Sequence, residues 1–163
     1  MKKTQLLTLL FSCLSWQLLA CSSEEYRQFD FWIGEWQVTN PANNQVSISK
    51  ISLINNNCSI LEEYQTPSGY QGKSLNIYNQ QTKQWHQTWV DNTGLLLQLN
   101  GEFKQGVMTL SGLTVDNKGQ EVLNKISWKK LSDGRVNQVW QTSTDKGKHW
   151  QTLFDGYYQK IQP

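Results

Sequence analysis

The feature that most limits this chain is a rhythm of short stretches bounded by turn residues. Runs at about 34–40, 44–54, 58–66, 70–79, 84–91, 95–103, 107–115, 120–131, 135–143 and 149–160 are separated by punctuation such as Asn55-Asn56-Asn57, Pro67-Ser68-Gly69, Asn92-Thr93-Gly94, Asn117-Lys118-Gly119 and Asp145-Lys146-Gly147. Regularly spaced strands with Gly-, Asn- and Asp-rich turns build a sandwich or a barrel. The connections are too short for the crossover that a parallel pair needs, so neighbouring strands are antiparallel. This predicts an all-β fold, an antiparallel up-and-down β-barrel of about 8–10 strands, whose closure removes sheet edges. A sandwich is the structural alternative. One short helix is expected near Glu24 to Phe31. The length of 163 residues suits one domain, placed at 29–161 after a short linker at 21–28.

Turn chemistry assigns the faces. In Asn92-Thr93-Gly94 the glycine falls third in the loop, where a three-residue hairpin wants a positive φ. That register opposes Trp89 to Leu97 and Gln87 to Leu99, and it puts Trp85, Gln87, Trp89, Leu97 and Leu99 on one face. The same logic at Asn117-Lys118-Gly119 joins Leu110, Gly112 and Thr114 to Val122, Asn124, Ile126 and Trp128. At Asp145-Lys146-Gly147 it joins Gln138, Trp140 and Thr142 to Trp150, Thr152 and Phe154. The large aromatics gather each time, as they should on the inner wall; a two-residue loop would turn them all outward. Ser74, Asn76 and Tyr78 are expected on the same inner face.

An inner wall of this kind is aromatic but not dry. Buried amides need partners, whether each other, water or a ligand. Aromatic walls with a few fixed polar groups describe a small-molecule site. Trp85, Trp89, Trp140 and Trp150 are expected to supply walls, with Gln87, Asn124 and Gln138 orienting the ligand and Ser74, Asn76 and Tyr78 beside them.

The first twenty residues read as an address. Met1-Lys2-Lys3 is a short positive region, and Leu6 to Leu14 is an apolar stretch too short to span a bilayer. Leu18-Leu19-Ala20-Cys21 resembles the lipobox of bacterial lipoproteins. That resemblance implies a signal peptide at 1–20, cleavage before Cys21 and acylation of its thiol and amine. One acyl chain anchors weakly, at ~0.8 kcal/mol per buried methylene, and several together anchor firmly. Ser22 where other such proteins carry Asp resembles the outer-membrane-directed class, so the expected location is the bacterial envelope, facing the periplasm. With Cys13 removed and Cys21 acylated, Cys58 has no partner for an intramolecular disulfide and reads as a small buried hydrophobe.

The run Phe29-Asp30-Phe31-Trp32-Ile33-Gly34-Glu35-Trp36 carries a Gly-x-Trp at the start of the first strand, which resembles the opening of lipocalins and the wider calycin barrels. In that family the Trp plugs one barrel end and the Gly permits close chain approach, which implies structural roles for Gly34 and Trp36. Together with Gly72-Lys73-Ser74-Leu75-Asn76, Trp85-His86-Gln87-Thr88-Trp89-Val90-Asp91 and Phe154-Asp155-Gly156-Tyr157-Tyr158, the run looks like an uncharacterised family of bacterial envelope proteins. Ser143-x-Asp145-x-Gly147-x-x-Trp150 matches the Asp-box hairpin, a local folding device in a single copy.

Other chemistries fit poorly. Lys2 and Lys3 account for the formal charge of +2, so the remainder is near neutral and offers no basic patch for nucleic acid. Gly69-Tyr70-Gln71-Gly72-Lys73-Ser74 lacks the first glycine of a phosphate loop and leads into a strand. His86 and His149 are the only histidines, too few for a multi-histidine metal site. Glu62 and Glu63 are adjacent on a strand and point to opposite faces, which spoils a paired-carboxylate site. His86 is expected on the outer face. The sequence therefore points to noncovalent binding of a small, largely apolar or amphipathic molecule with no cofactor and no metal. The alternatives are an envelope interaction module with a filled barrel, and a weak hydrolase or isomerase.

Overall fold

The computed structural model describes residues 21–161. The signal-peptide reading of residues 1–20 lies outside them. The chain begins with one helical turn, α1 (Glu24–Arg27), and a 3₁₀ turn at Asp30–Trp32. Ten strands follow: β1 (Gly34–Asn40), β2 (Gln45–Ile54), β3 (Ser59–Gln65), β4 (Gln71–Asn79), β5 (Gln84–Asp91), β6 (Leu96–Lys104), β7 (Val107–Val115), β8 (Glu121–Lys130), β9 (Val136–Ser143) and β10 (Gln151–Lys160). Each pairs antiparallel with the next, and β10 closes on β1. The fold is the up-and-down barrel that the turn spacing predicts.

Two of the three parity assignments hold. Trp89 opposes Leu97 and Gln87 opposes Leu99 across β5 and β6. Gly112 opposes Asn124 and Leu110 opposes Ile126 across β7 and β8. The third holds for only part of its length. Thr152 pairs with Gln141 while Phe154 pairs with Trp140, so Leu153 is an extra residue that breaks the register of β10. A bulge of this kind reverses the facing of everything beyond it. Phe154 stays inside, whereas Thr152 sits opposite an outward residue and Trp150 lies on the outer surface beneath the Lys125 ammonium, 3.8 Å from the ring centre.

The Asp-box hairpin forms as the pattern predicts. The Asp145 carboxylate accepts from the Ser143 hydroxyl at 2.7 Å and from the His149 amide at 2.9 Å. Gly147 takes φ 84° and leaves room for the Trp150 ring. Those backbone and hydroxyl donors hold the Asp145 carboxyl well below its ordinary pKa.

One end of the barrel is packed with rings. The N-terminal segment crosses this end and inserts Phe29 and Trp32, both fully buried. Phe29 stacks on Trp32 at 4.9 Å and meets Trp85 and Trp128 edge-on at 5.6 and 5.2 Å. The Trp36 indole N–H donates to the Trp32 carbonyl at 2.8 Å, and Lys160 lies over its ring at 5.4 Å. Gly34 sits at φ 143°, and a Cβ there would meet the Lys160 side chain at 2.8 Å. The backbone conformation is what requires glycine two residues before this Trp, since the end of the flexible Lys160 side chain can swing aside.

The cysteines depart from expectation. Cys21 and Cys58 are joined in a disulfide that ties the N-terminal segment to the β2–β3 turn. Cys58 is therefore neither unpaired nor a lone core thiol. The expectation failed because it assigned the Cys21 sulfur to an acyl chain alone, and a thioether and a disulfide are alternative fates of one sulfur.

Candidate functional site

The opposite end of the barrel is not filled. A cavity of about 170 Å³ lies between Tyr64, Tyr70, Trp89, Trp140, Leu153 and Phe154 at its mouth and Glu62, Gln87, Leu97, Ile126, Gln138 and Tyr158 deeper in. The two halves of one barrel differ because the N-terminal rings plug only the end where β1 starts and β10 finishes.

Each wall is held by a specific device. Gly72 opposes the Trp89 ring so closely that a Cβ would fall 2.2 Å from it, so glycine is what lets the indole lie flat against β4. Gly156 plays the same part under Phe154, where a Cβ would fall 2.4 Å from the ring. The Trp89 and Tyr70 donors both point to Asp91 Oδ2, at 3.4 and 2.9 Å. Burial pushes the Asp91 carboxyl up, but bonds donated by Thr93, Tyr70 and Leu95 outweigh it and leave its pKa below the ordinary value. Trp140 donates its indole N–H to Asn124 Oδ1 at 3.0 Å, and the Asn124 amide is itself fixed by the Thr114 hydroxyl at 2.9 Å. These ring positions are therefore set by hydrogen bonds as well as by packing.

The floor is polar and centred on Glu62. Ser49 and Ser74 donate to its two oxygens, each at 3.0 Å. Asn76 donates to Ser74 Oγ at 2.9 Å, and Gln87 donates to Asn76 Oδ1 at 2.8 Å. The Tyr158 hydroxyl donates to Gln138 Oε1. Glu62 is 3 % exposed, and no Lys, Arg or His lines the cavity with it. Burial raises its carboxyl pKa to about 7, with the hydroxyls of Ser74 and Ser49 pulling against that rise. Burial also raises Tyr158 well above the usual tyrosine range, and the Glu62 charge adds to the effect. Glu63, on the outer face, pairs with Lys73 at 2.7 Å.

The residues singled out from sequence divide by position. Gln87, Trp89, Gln138 and Trp140 line the cavity. Ser74 and Asn76 lie behind its floor, and Asn124 lies behind Trp140. Trp85 belongs to the plug instead, donating to Gln28 at 3.2 Å, and Tyr78 stands beside it against Tyr26. Trp150 is outside the barrel. Glu62, Tyr64, Tyr70, Leu97, Ile126, Leu153, Phe154 and Tyr158 complete the cavity. Of these, Glu62 had a legible signal: Ile60 and Tyr64 flank it at two-residue spacing, which puts the three on one face. His86 faces outward, between Asn100 and Thr88, each at 2.9 Å. Among the described residues no group of three His, Cys, Asp or Glu side chains is placed to hold a metal ion.

No protein-family model and no curated protein matches the chain.

Proposed function

We propose that this protein is a binding barrel of the bacterial envelope that takes one small, largely apolar molecule into the cavity beside Trp89 and Trp140. The observation that carries the reading is the contrast between the two ends: one is packed solid with aromatic side chains, and the other keeps a cavity walled by rings that hydrogen bonds hold apart. The volume suits a single ring, since a cavity of roughly 150 Å³ lined by apolar groups accepts benzene. A titration with one-ring compounds such as toluene, phenol and benzyl alcohol, read by tryptophan fluorescence, tests it. The expected result is a saturable change that Trp89→Ala abolishes. No response to any member of the panel would favour an interaction module with no ligand inside.

The envelope location rests on the leader and the lipobox-like Leu18-Leu19-Ala20-Cys21. In the anchored form the Cys21 sulfur carries an acyl chain and Cys58 is a free thiol; in a chain cleaved without acylation the two form the disulfide, which suits an oxidising compartment. A thiol count on denatured, unreduced protein purified from the envelope separates these forms. The anchored form gives one thiol per chain and partitions with membranes. A count of zero in soluble protein would remove the anchor.

A further inference from the structure

The cavity holds one acidic side chain and no basic one. Glu62 lies at its floor, and both carboxylate oxygens take their hydrogen bonds from neutral hydroxyls, those of Ser49 and Ser74. The nearby lysines of β2 and β4, Lys50 and Lys73, pair with Glu35 and Glu63 on the outer face. An ionised carboxylate buried without a cation is costly, and hydroxyl donors offset only part of that cost. A fold that needed only a filled interior would place an apolar residue there. A fold that receives a cation needs a carboxylate there.

The walls point the same way. The rings of Tyr64, Trp89, Trp140 and Phe154 line the cavity together with Glu62. The face of an aromatic ring attracts an organic cation through the ring quadrupole, and the attraction strengthens where water is excluded. Asp91 at the rim, bonded to Tyr70 and Trp89, adds negative potential along the way in. An anion would meet Glu62 with no compensating positive group.

We propose that the ligand is a small organic cation: a one-ring or similarly sized amine whose protonated nitrogen meets the Glu62 carboxylate while its carbon body lies between Trp89, Trp140 and Phe154. This rests on the reading of the cavity as a binding site, and it adds the chemical class. Binding follows the ionisation of Glu62. The other titratable groups sharing the cavity are Tyr64, Tyr70 and Tyr158, all raised by burial and neutral across the range concerned, with Asp91 ionised at the rim. Below the Glu62 pKa of about 7, affinity for the cation falls by about tenfold per pH unit.

Three probes of one shape test the inference: benzylamine, benzyl alcohol and benzoate, each titrated into the protein and followed by tryptophan fluorescence. At about pH 8 benzylamine, still protonated, is expected to bind at least tenfold more tightly than the alcohol, and benzoate not to compete. Lowering the pH to about 5 should weaken benzylamine tenfold or more and leave the alcohol unchanged. Glu62→Gln should erase the preference for the amine while retaining the alcohol. Should that variant fail to fold, the pH comparison on the unmodified protein decides. Alcohol or benzoate binding as tightly as benzylamine, or a preference that survives in folded Glu62→Gln or at low pH, overturns the cationic ligand and leaves the cavity reading standing. No binding by any of the three overturns both.

Discussion

Trp128→Ala is expected to destabilise the protein by about 4 kcal/mol, against about 1 kcal/mol for Trp150→Ala. The two residues belong to the same sequence pattern, large aromatics on alternating strands, and only their facing separates them. Trp128 is fully buried, with Phe29 edge-on at 5.2 Å and Trp32 at 5.5 Å, so truncation leaves a void that rings held from three sides cannot fill. Trp150 lies outside the barrel wall, covered by Lys125 and packed over Gly147. Its removal forfeits a cation–π contact and some surface packing. Urea unfolding of both variants measures the difference. Equal losses, or a larger loss at Trp150, would mean that the bulge at Leu153 and the facing it sets are wrong.

Glu62→Gln is expected to stabilise the unliganded protein by about 3 kcal/mol above pH 7 and to change little below pH 4.5. The sign follows from proton counting. The folded-state pKa is raised to about 7 from an unfolded value of 4.5, so between these values the native state holds a proton that the unfolded chain has released. Stability from this group is fully present below 4.5 and is lost as pH rises through about 7. A neutral amide has no such loss, and it can share hydrogen bonds with the same serine hydroxyls. Denaturation midpoints of both proteins across pH 4 to 8.5 give the comparison. Parallel curves would show that Glu62 ionises normally and is therefore well solvated. On that expectation the unmodified protein gives up stability at neutral pH to keep a carboxylate where an amide would fit. Natural proteins accept such a loss most often at sites that bind or react.

How much could be read beforehand depended on what each signal determines. Strand spans and hairpin registers were legible because a glycine third in a three-residue loop fixes both the turn and the parity, as at Gly94 and Gly119, with φ 89° and 78°. The same rule at Gly147 joined the right strands but missed the register, because Gln151 and not Trp150 opposes Thr142, which turns Trp150 and Thr152 outward until the extra residue Leu153 brings Phe154 back inside. Such a bulge is set by closure of the whole barrel. Membership of the inner face was legible for Trp85, but its end of the barrel was not. Which end becomes the plug depends on where residues 24–32 cross, and that is tertiary information. Glu62 was legible as one of two oppositely facing glutamates. Its importance emerged only when closure brought Ser49, Ser74 and Tyr158 around it without a cation.

The most direct test of the binding reading is a crystal grown or soaked with bromobenzene, whose bromine reports position by anomalous scattering. The account predicts one strong peak inside the barrel, bounded by Trp89, Trp140 and Phe154 and above Glu62, with the plug rings of Phe29, Trp32 and Trp128 unmoved. No peak there, with Tyr64 and Phe154 meeting across the space or Trp89 and Trp140 turned to solvent, would contradict it.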